Sequence, residues 1–137
     1  MTTVSLIVME PGSDWPGHVG DCANLVAFSQ GSEKLLQRTQ EKLDTLRRAR
    51  QDVRVAVLAC NGETDGEAAS YRAQVARALL SAVTGAMLGR LVLSANGRAS
   101  LRLRHELLSL TCTLSEQLRG TTATISLKFT DLDGSHP

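Results

Sequence analysis

Aromatic side chains are scarce: one Trp, one Tyr and two Phe make up 3% of the 137 residues. Any core must be built from aliphatic side chains, and a base-stacking platform for single-stranded nucleic acid has no material. An excess of one charge is missing too. Lys plus Arg number 15 against 14 Asp plus Glu, which argues against a nucleic-acid or anionic-membrane partner held by whole-protein electrostatics. No apolar run approaches the roughly 18–20 residues of a membrane span, and the first ten residues lack a basic n-region, so a cytoplasmic location is expected. Cysteine is sparse: Cys22, Cys60 and Cys112 form no CxxC pair. Neither a disulfide framework nor a thiolate metal site is signalled, and no metal or cofactor is expected. What is abundant is aliphatic: 42% of residues are hydrophobic, which excludes intrinsic disorder. The length suits one domain over 1–137, ending in a polar tail at 131–137.

Turn residues and apolar periodicity divide the chain. Val4–Met9 is a β-branched run closed by Pro11-Gly12, a first strand. Glu10–Cys22 carries Pro11, Pro16, Gly12, Gly17 and Gly20, so it predicts a loop without a helix. Asn24–Phe28 reads as a second strand. In Ser32–Arg50 the positions Leu36, Thr39, Leu43 and Leu46 recur at helical spacing, with Ser32 as the cap. Val53–Cys60 is a third strand, ending at Asn61-Gly62. Thr64 and Glu67 have capping-box spacing and open a second helix that runs to Val83. Gly85 and Gly89 punctuate its end. Leu91–Ser94 is a fourth strand, halted at Asn96-Gly97; both Asn-Gly pairs are expected to supply positive φ. A third helix carries Leu103, Leu107, Leu110, Leu114 and Leu118 on one stripe, with Leu101, His105, Leu108 and Cys112 beside it. Gly120 ends it, and Ala123–Phe129 is a fifth strand. The alternation predicts a three-layer Rossmann-like α/β sandwich: about five mostly parallel strands and three main helices covering both faces.

Gly89-Arg90-Leu91-Val92-Leu93-Ser94, the helix His105–Gly120 and the following Ala123-Thr124-Ile125-Ser126-Leu127 resemble the short-chain dehydrogenase/reductase family. The departures are specific. The family's Gly-x-x-x-Gly-x-Gly turn is replaced by Gly12, Gly17 and Gly20 interrupted by Pro16. Its Tyr-x-x-x-Lys is absent, since Tyr71 is followed four residues later by Val75 and no lysine lies between Lys42 and Lys128. The resemblance therefore implies a degenerate, truncated scaffold with no catalytic residues and no dinucleotide. It also implies subunit pairing through the second and third helices. The apolar Leu101, Leu108 and Cys112 with the small Ala73 and Ala76 would then form a homodimer contact, and a separate protein partner is a further possibility.

Ligands of parallel sheets collect at the carboxyl ends of strands. The loops there hold Ser94, Asn96, Gly97, Arg98 and Arg102 on one side and Asn61 and Asp65 on the other, a set suited to a small anion or a nucleotide. Cys60, at a strand end, resembles the placement of the nucleophile in caspase-like peptidases, but the His-Gly expected after an earlier strand is missing. Glu10, Asp14, His18 and Asp21 share a loop without metal-motif spacing. The order of expectation is a non-catalytic interaction domain, then a small-molecule binder at the strand ends, then a cysteine-dependent hydrolase using Cys60.

Overall fold

The computed structural model describes residues 2–13, 16, 23–27, 32–61 and 66–130. Its elements are β1 (Thr2–Met9), β2 (Ala23–Ala27), α1 (Ser32–Arg48), β3 (Gln51–Cys60), α2 (Gly66–Thr84), β4 (Arg90–Asn96), α3 (Leu101–Glu116) and β5 (Thr124–Thr130). The strands form one parallel sheet in the order β2-β1-β3-β4-β5. This is a Rossmann-like α/β alternation. No helix among the described residues is long and apolar enough to cross a membrane.

Among the described residues the helices lie on one face of the sheet, not on both as the alternation predicts. Three crossovers, each through a helix, step in the same direction along the sheet: β2 to β3, β3 to β4 and β4 to β5. Parallel crossovers are right-handed, so steps in one direction place their helices on one face. The main core follows suit, joining Leu6, Leu58 and Leu93 of the sheet to Leu46 of α1, Leu79 of α2 and Leu107 of α3. The opposite face carries Ile7, Val57 and Val92, whose cluster includes no residue of a described helix. The only step in the other direction, β1 to β2, runs through the proline- and glycine-rich segment that breaks helices. The Pro16 carbonyl accepts a 3.0 Å hydrogen bond from Lys128 Nζ, a residue on the face that no described helix covers. Ile7 and Val57 remain buried there.

Helix phasing largely follows the sequence. On α1, Leu36, Thr39 and Leu46 are buried, and the Thr39 hydroxyl donates to the Leu35 carbonyl at 2.8 Å, which satisfies its buried polar atom. On α3, Ser100 is the N-cap and accepts from the Leu103 amide, while Leu103, Leu107, Leu110 and Leu114 face the sheet. Burying each of these leucines is worth about 1.5–3 kcal/mol. Thr64 and the proposed capping box lie outside the described residues, as do Asp65 and the polar tail.

One conformational expectation is corrected. Gly97 has no positive φ; among the described glycines only Gly12 and Gly120 do. Gly97 answers a different need: its amide donates to the Thr130 carbonyl at 2.7 Å, and a Cβ would sit 2.6 Å from that oxygen.

Candidate functional site

The chain leaves β1 through a turn that its sequence specifies. Glu10 extends the β1–β3 ladder by donating its amide to Ala59. Pro11 and Gly12 then occupy the two central positions of a turn, with Gly12 at φ +78°, the left-handed value that a type II turn requires. The Glu10 carbonyl accepts both the Ser13 amide (3.1 Å) and the Ser13 hydroxyl (2.7 Å). This turn faces the ends of β3 and β4 across a cavity of about 200 Å³. Gly12 and Ser13 line it from β1, Cys60 and Asn61 from β3, Asn96 from β4, and Arg98, Ala99, Ser100 and Leu103 from the approach to α3.

Beneath the cavity lies a buried ion-pair network that spans three elements. Arg72 on α2 grips Glu10 with Nε to Oε2 (2.7 Å) and Nη2 to Oε1 (2.8 Å), a bidentate pair, and sends Nη1 to Glu106 Oε2 on α3 (2.6 Å). The Arg72 side chain is 1% exposed and that of Glu10 6%. Glu10 Oε1 also accepts the Asn61 amide at 2.8 Å, and Asn61 Nδ2 donates to the Pro11 carbonyl. The ends of β1 and β3 are thereby tied to both helices. Burial alone would push the Arg72 pKa down; the hydrogen bonds and charge of Glu10 outweigh it, and the guanidinium stays protonated.

Cys60 sits against this network. Burial, then the Glu10 carboxylate, push its thiol well above the ordinary value, and the opposing pull of Arg72 is smaller. The protonated thiol donates weakly to the Leu58 carbonyl (3.7 Å). A nucleophilic thiolate needs the reverse environment, which weighs against the hydrolase reading. Folding stability should register this thiol. The unfolded thiol ionises near ~8.5 and the folded one higher, so its contribution is complete below that pH and is lost as pH rises toward the folded pKa. Urea unfolding of the intact chain should show stability falling above about pH 9, by up to about 1.4 kcal/mol per pH unit for this one proton. The same titration of Cys60→Ala should lack that component; identical alkaline slopes would contradict it.

Of the residues singled out in the sequence, Asn61, Asn96 and Arg98 meet at the cavity. The Arg98 amide donates to Asn96 Oδ1 (2.7 Å), fixing the loop between β4 and α3. Ser94 does not join them. It shares the face of Val92, which no described helix covers, and is 1% exposed there. Gly97 serves the Thr130 contact, Arg102 is exposed outside the cavity lining, and Asp65 lies outside the described residues. Arg104 holds the loop: Nε donates to the Ala99 carbonyl (3.0 Å), Nη2 to that of Gly97, and its guanidinium lies 4.5 Å from the Phe129 ring centroid.

The interface set is also divided. Leu101 is 82% and Leu108 54% exposed, and Cys112 is exposed. Ala76, expected on the same contact, is fully buried, and Ala73 packs against the core. The reason is positional: α2 contacts both α1 and α3, so its small-residue side is turned inward.

Sequence reading missed Arg72 and Glu106, and gave Glu10 only a place among the polar residues of its loop. A signal existed for one of them. Arg72 lies four residues after Ala68, three before Val75 and four before Ala76, inside the apolar stripe of α2, where a charge has to be paired. No protein family, curated protein or solved structure matches the chain.

Proposed function

We propose that this chain binds a compact anionic small molecule, a carboxylate or a phosphate ester, in the cavity at the carboxyl ends of β1, β3 and β4. The observation that carries the reading is the cavity's place: strand order reverses between β1 and β3, and such switch points open crevices for ligands in parallel sheets. Charge supports it. Arg72 is engaged by two glutamates and Arg104 by backbone carbonyls, whereas the exposed Arg98 guanidinium at the rim has no partner among the described residues. About 200 Å³ is below the roughly 300–1,000 Å³ of pockets for drug-sized ligands, which disfavours a dinucleotide. The ligand is bound without covalent chemistry, because Cys60 is kept as a thiol.

A thermal-shift panel of small carboxylates, phosphate esters and NADP tests this. One anionic class should raise the melting temperature, by linkage worth about 2.7 kcal/mol at a hundredfold excess over Kd. Arg98→Ala should weaken the shift, and Ala99→Phe, which fills the cavity, should abolish it. Failure of every anion at millimolar concentration, or a shift indifferent to both variants, would overturn the assignment.

A second reading, a domain that pairs with a copy of itself, is favoured by four large apolar side chains left exposed: Met87, Leu88, Leu101 and Leu108.

A further inference from the structure

The end of the sheet opposite the cavity carries three features that ligand binding leaves unexplained. An open groove of about 1020 Å³ runs between the second half of α1, the start of β3 and the last turns of α2, with Leu43, Leu46, Val53, Ala78 and Ala82 among its lining residues. Its wall ends at Gly85. Two residues later the turn into β4 presents Met87 and Leu88, 82% and 60% exposed. Leu88 (φ 54°) and Arg50 (φ 57°) are the only non-glycine residues among those described with positive φ. Both hold a conformation that disfavours any side chain with a Cβ, and both lie at this end. Lastly, Arg50 and Asp52 line the same groove wall, and neither side chain is paired among the described residues.

We propose that this end is a two-fold interface between two copies of the chain. Met87 and Leu88 of each copy enter the groove of the other, and Arg50 of each faces Asp52 of the other. The proposal rests on the self-pairing reading and names its surface. A two-fold contact uses one patch twice, so that patch must carry both projection and recess and both signs of charge. Here an apolar projection adjoins an apolar groove, and an unpaired cation and an unpaired anion stand two residues apart. A partner of single-signed charge would set like charge against either Arg50 or Asp52. The contact also explains why leucine rather than glycine occupies the left-handed position at 88: the side chain, held outward there, is the part that docks. The anion cavity lies at the other end of the strands, so pairing leaves it open.

Sedimentation of the full chain from micromolar to hundred-micromolar concentration tests this. The unmodified chain should be a closed dimer. Leu88→Gly removes the projection while suiting the left-handed φ, and should give a monomer with an unchanged circular dichroism spectrum. Arg50→Asp should weaken dimerisation at least tenfold, and Arg50→Asp with Asp52→Arg should restore it. A monomer throughout would overturn both this surface and the self-pairing reading. A dimer indifferent to the Leu88 and Arg50 variants but split by Leu108→Glu would keep self-pairing and move it to α3, overturning this surface alone. Growth beyond the dimer would mean a head-to-tail contact and would overturn the two-fold arrangement.

Discussion

Arg72→Met should destabilise the fold by about 3–5 kcal/mol, the cost of removing one member of a buried ion-pair network. Methionine keeps the length and apolar stem of the side chain, so packing changes little. What is lost is charge: Glu10, 6% exposed, would keep only the Asn61 amide as a partner for its carboxylate, with Glu106 nearby and nothing positive between them. For a domain of this size the loss corresponds to a fall of about 10–20 °C in melting temperature. Because Arg72 joins β1 to α2 and α3, the effect should be global rather than local fraying, with one cooperative transition at the lower temperature.

The cause is separable by a second substitution. Gln at position 10 still offers an oxygen to the Asn61 amide but carries no charge, and Glu106, 21% exposed, can be solvated in part. Glu10→Gln combined with Arg72→Met should therefore recover more than half of the loss, giving a coupling energy well outside the additive range for independent sites. A double variant as unstable as the sum of the singles would mean that Arg72 contributes by packing alone.

Elements could be read from the sequence where a period repeats. The spacing of Leu36, Thr39, Leu43 and Leu46 marks α1, and Leu103 through Leu114 mark the buried side of α3; all of these are buried or half-buried as that spacing requires. Pro11-Gly12 marks a turn, and Gly12 has the positive φ that such a pair implies. Layering could not be read the same way, because the face a helix covers depends on the direction of its crossover, and direction depends on strand order. The outer stripe of α3 was legible as a pattern, but whether it is covered is set by its place at the rim of the helix layer. For α2 the same cause works in reverse, burying Ala76. At the site, Asn61, Asn96 and Arg98 follow from the rule that strand ends converge. Glu10 and Glu106 do not, since they lie 62 and 34 positions from Arg72, the residue that joins them.

Gly85 and Gly89 look alike in sequence, two glycines at the end of one helix, yet substitution should separate them sharply. A Cβ on Gly89 would lie 2.0 Å from the Val83 carbonyl oxygen and 2.8 Å from its carbon. Neither atom can yield without unwinding the last turn of α2 or displacing the start of β4, where the Gly89 carbonyl accepts the Thr124 amide at 2.9 Å. Two strands and a helix end would move for one methyl group. Overpacking of this kind costs about 1–3 kcal/mol when side chains can adjust; here the obstacle is backbone, so Gly89→Ala should reach about 3 kcal/mol or more. A Cβ on Gly85 meets only the Ala82 carbonyl at 3.5 Å, an ordinary contact, and its φ is not positive. Gly85→Ala should therefore be neutral, or stabilising by about 0.4–1 kcal/mol through the reduced freedom of the unfolded chain. Denaturant midpoints of the two variants, measured side by side, decide the matter: equal losses at both positions would mean that the close approach of residue 89 to Val83 is not a feature of the folded chain.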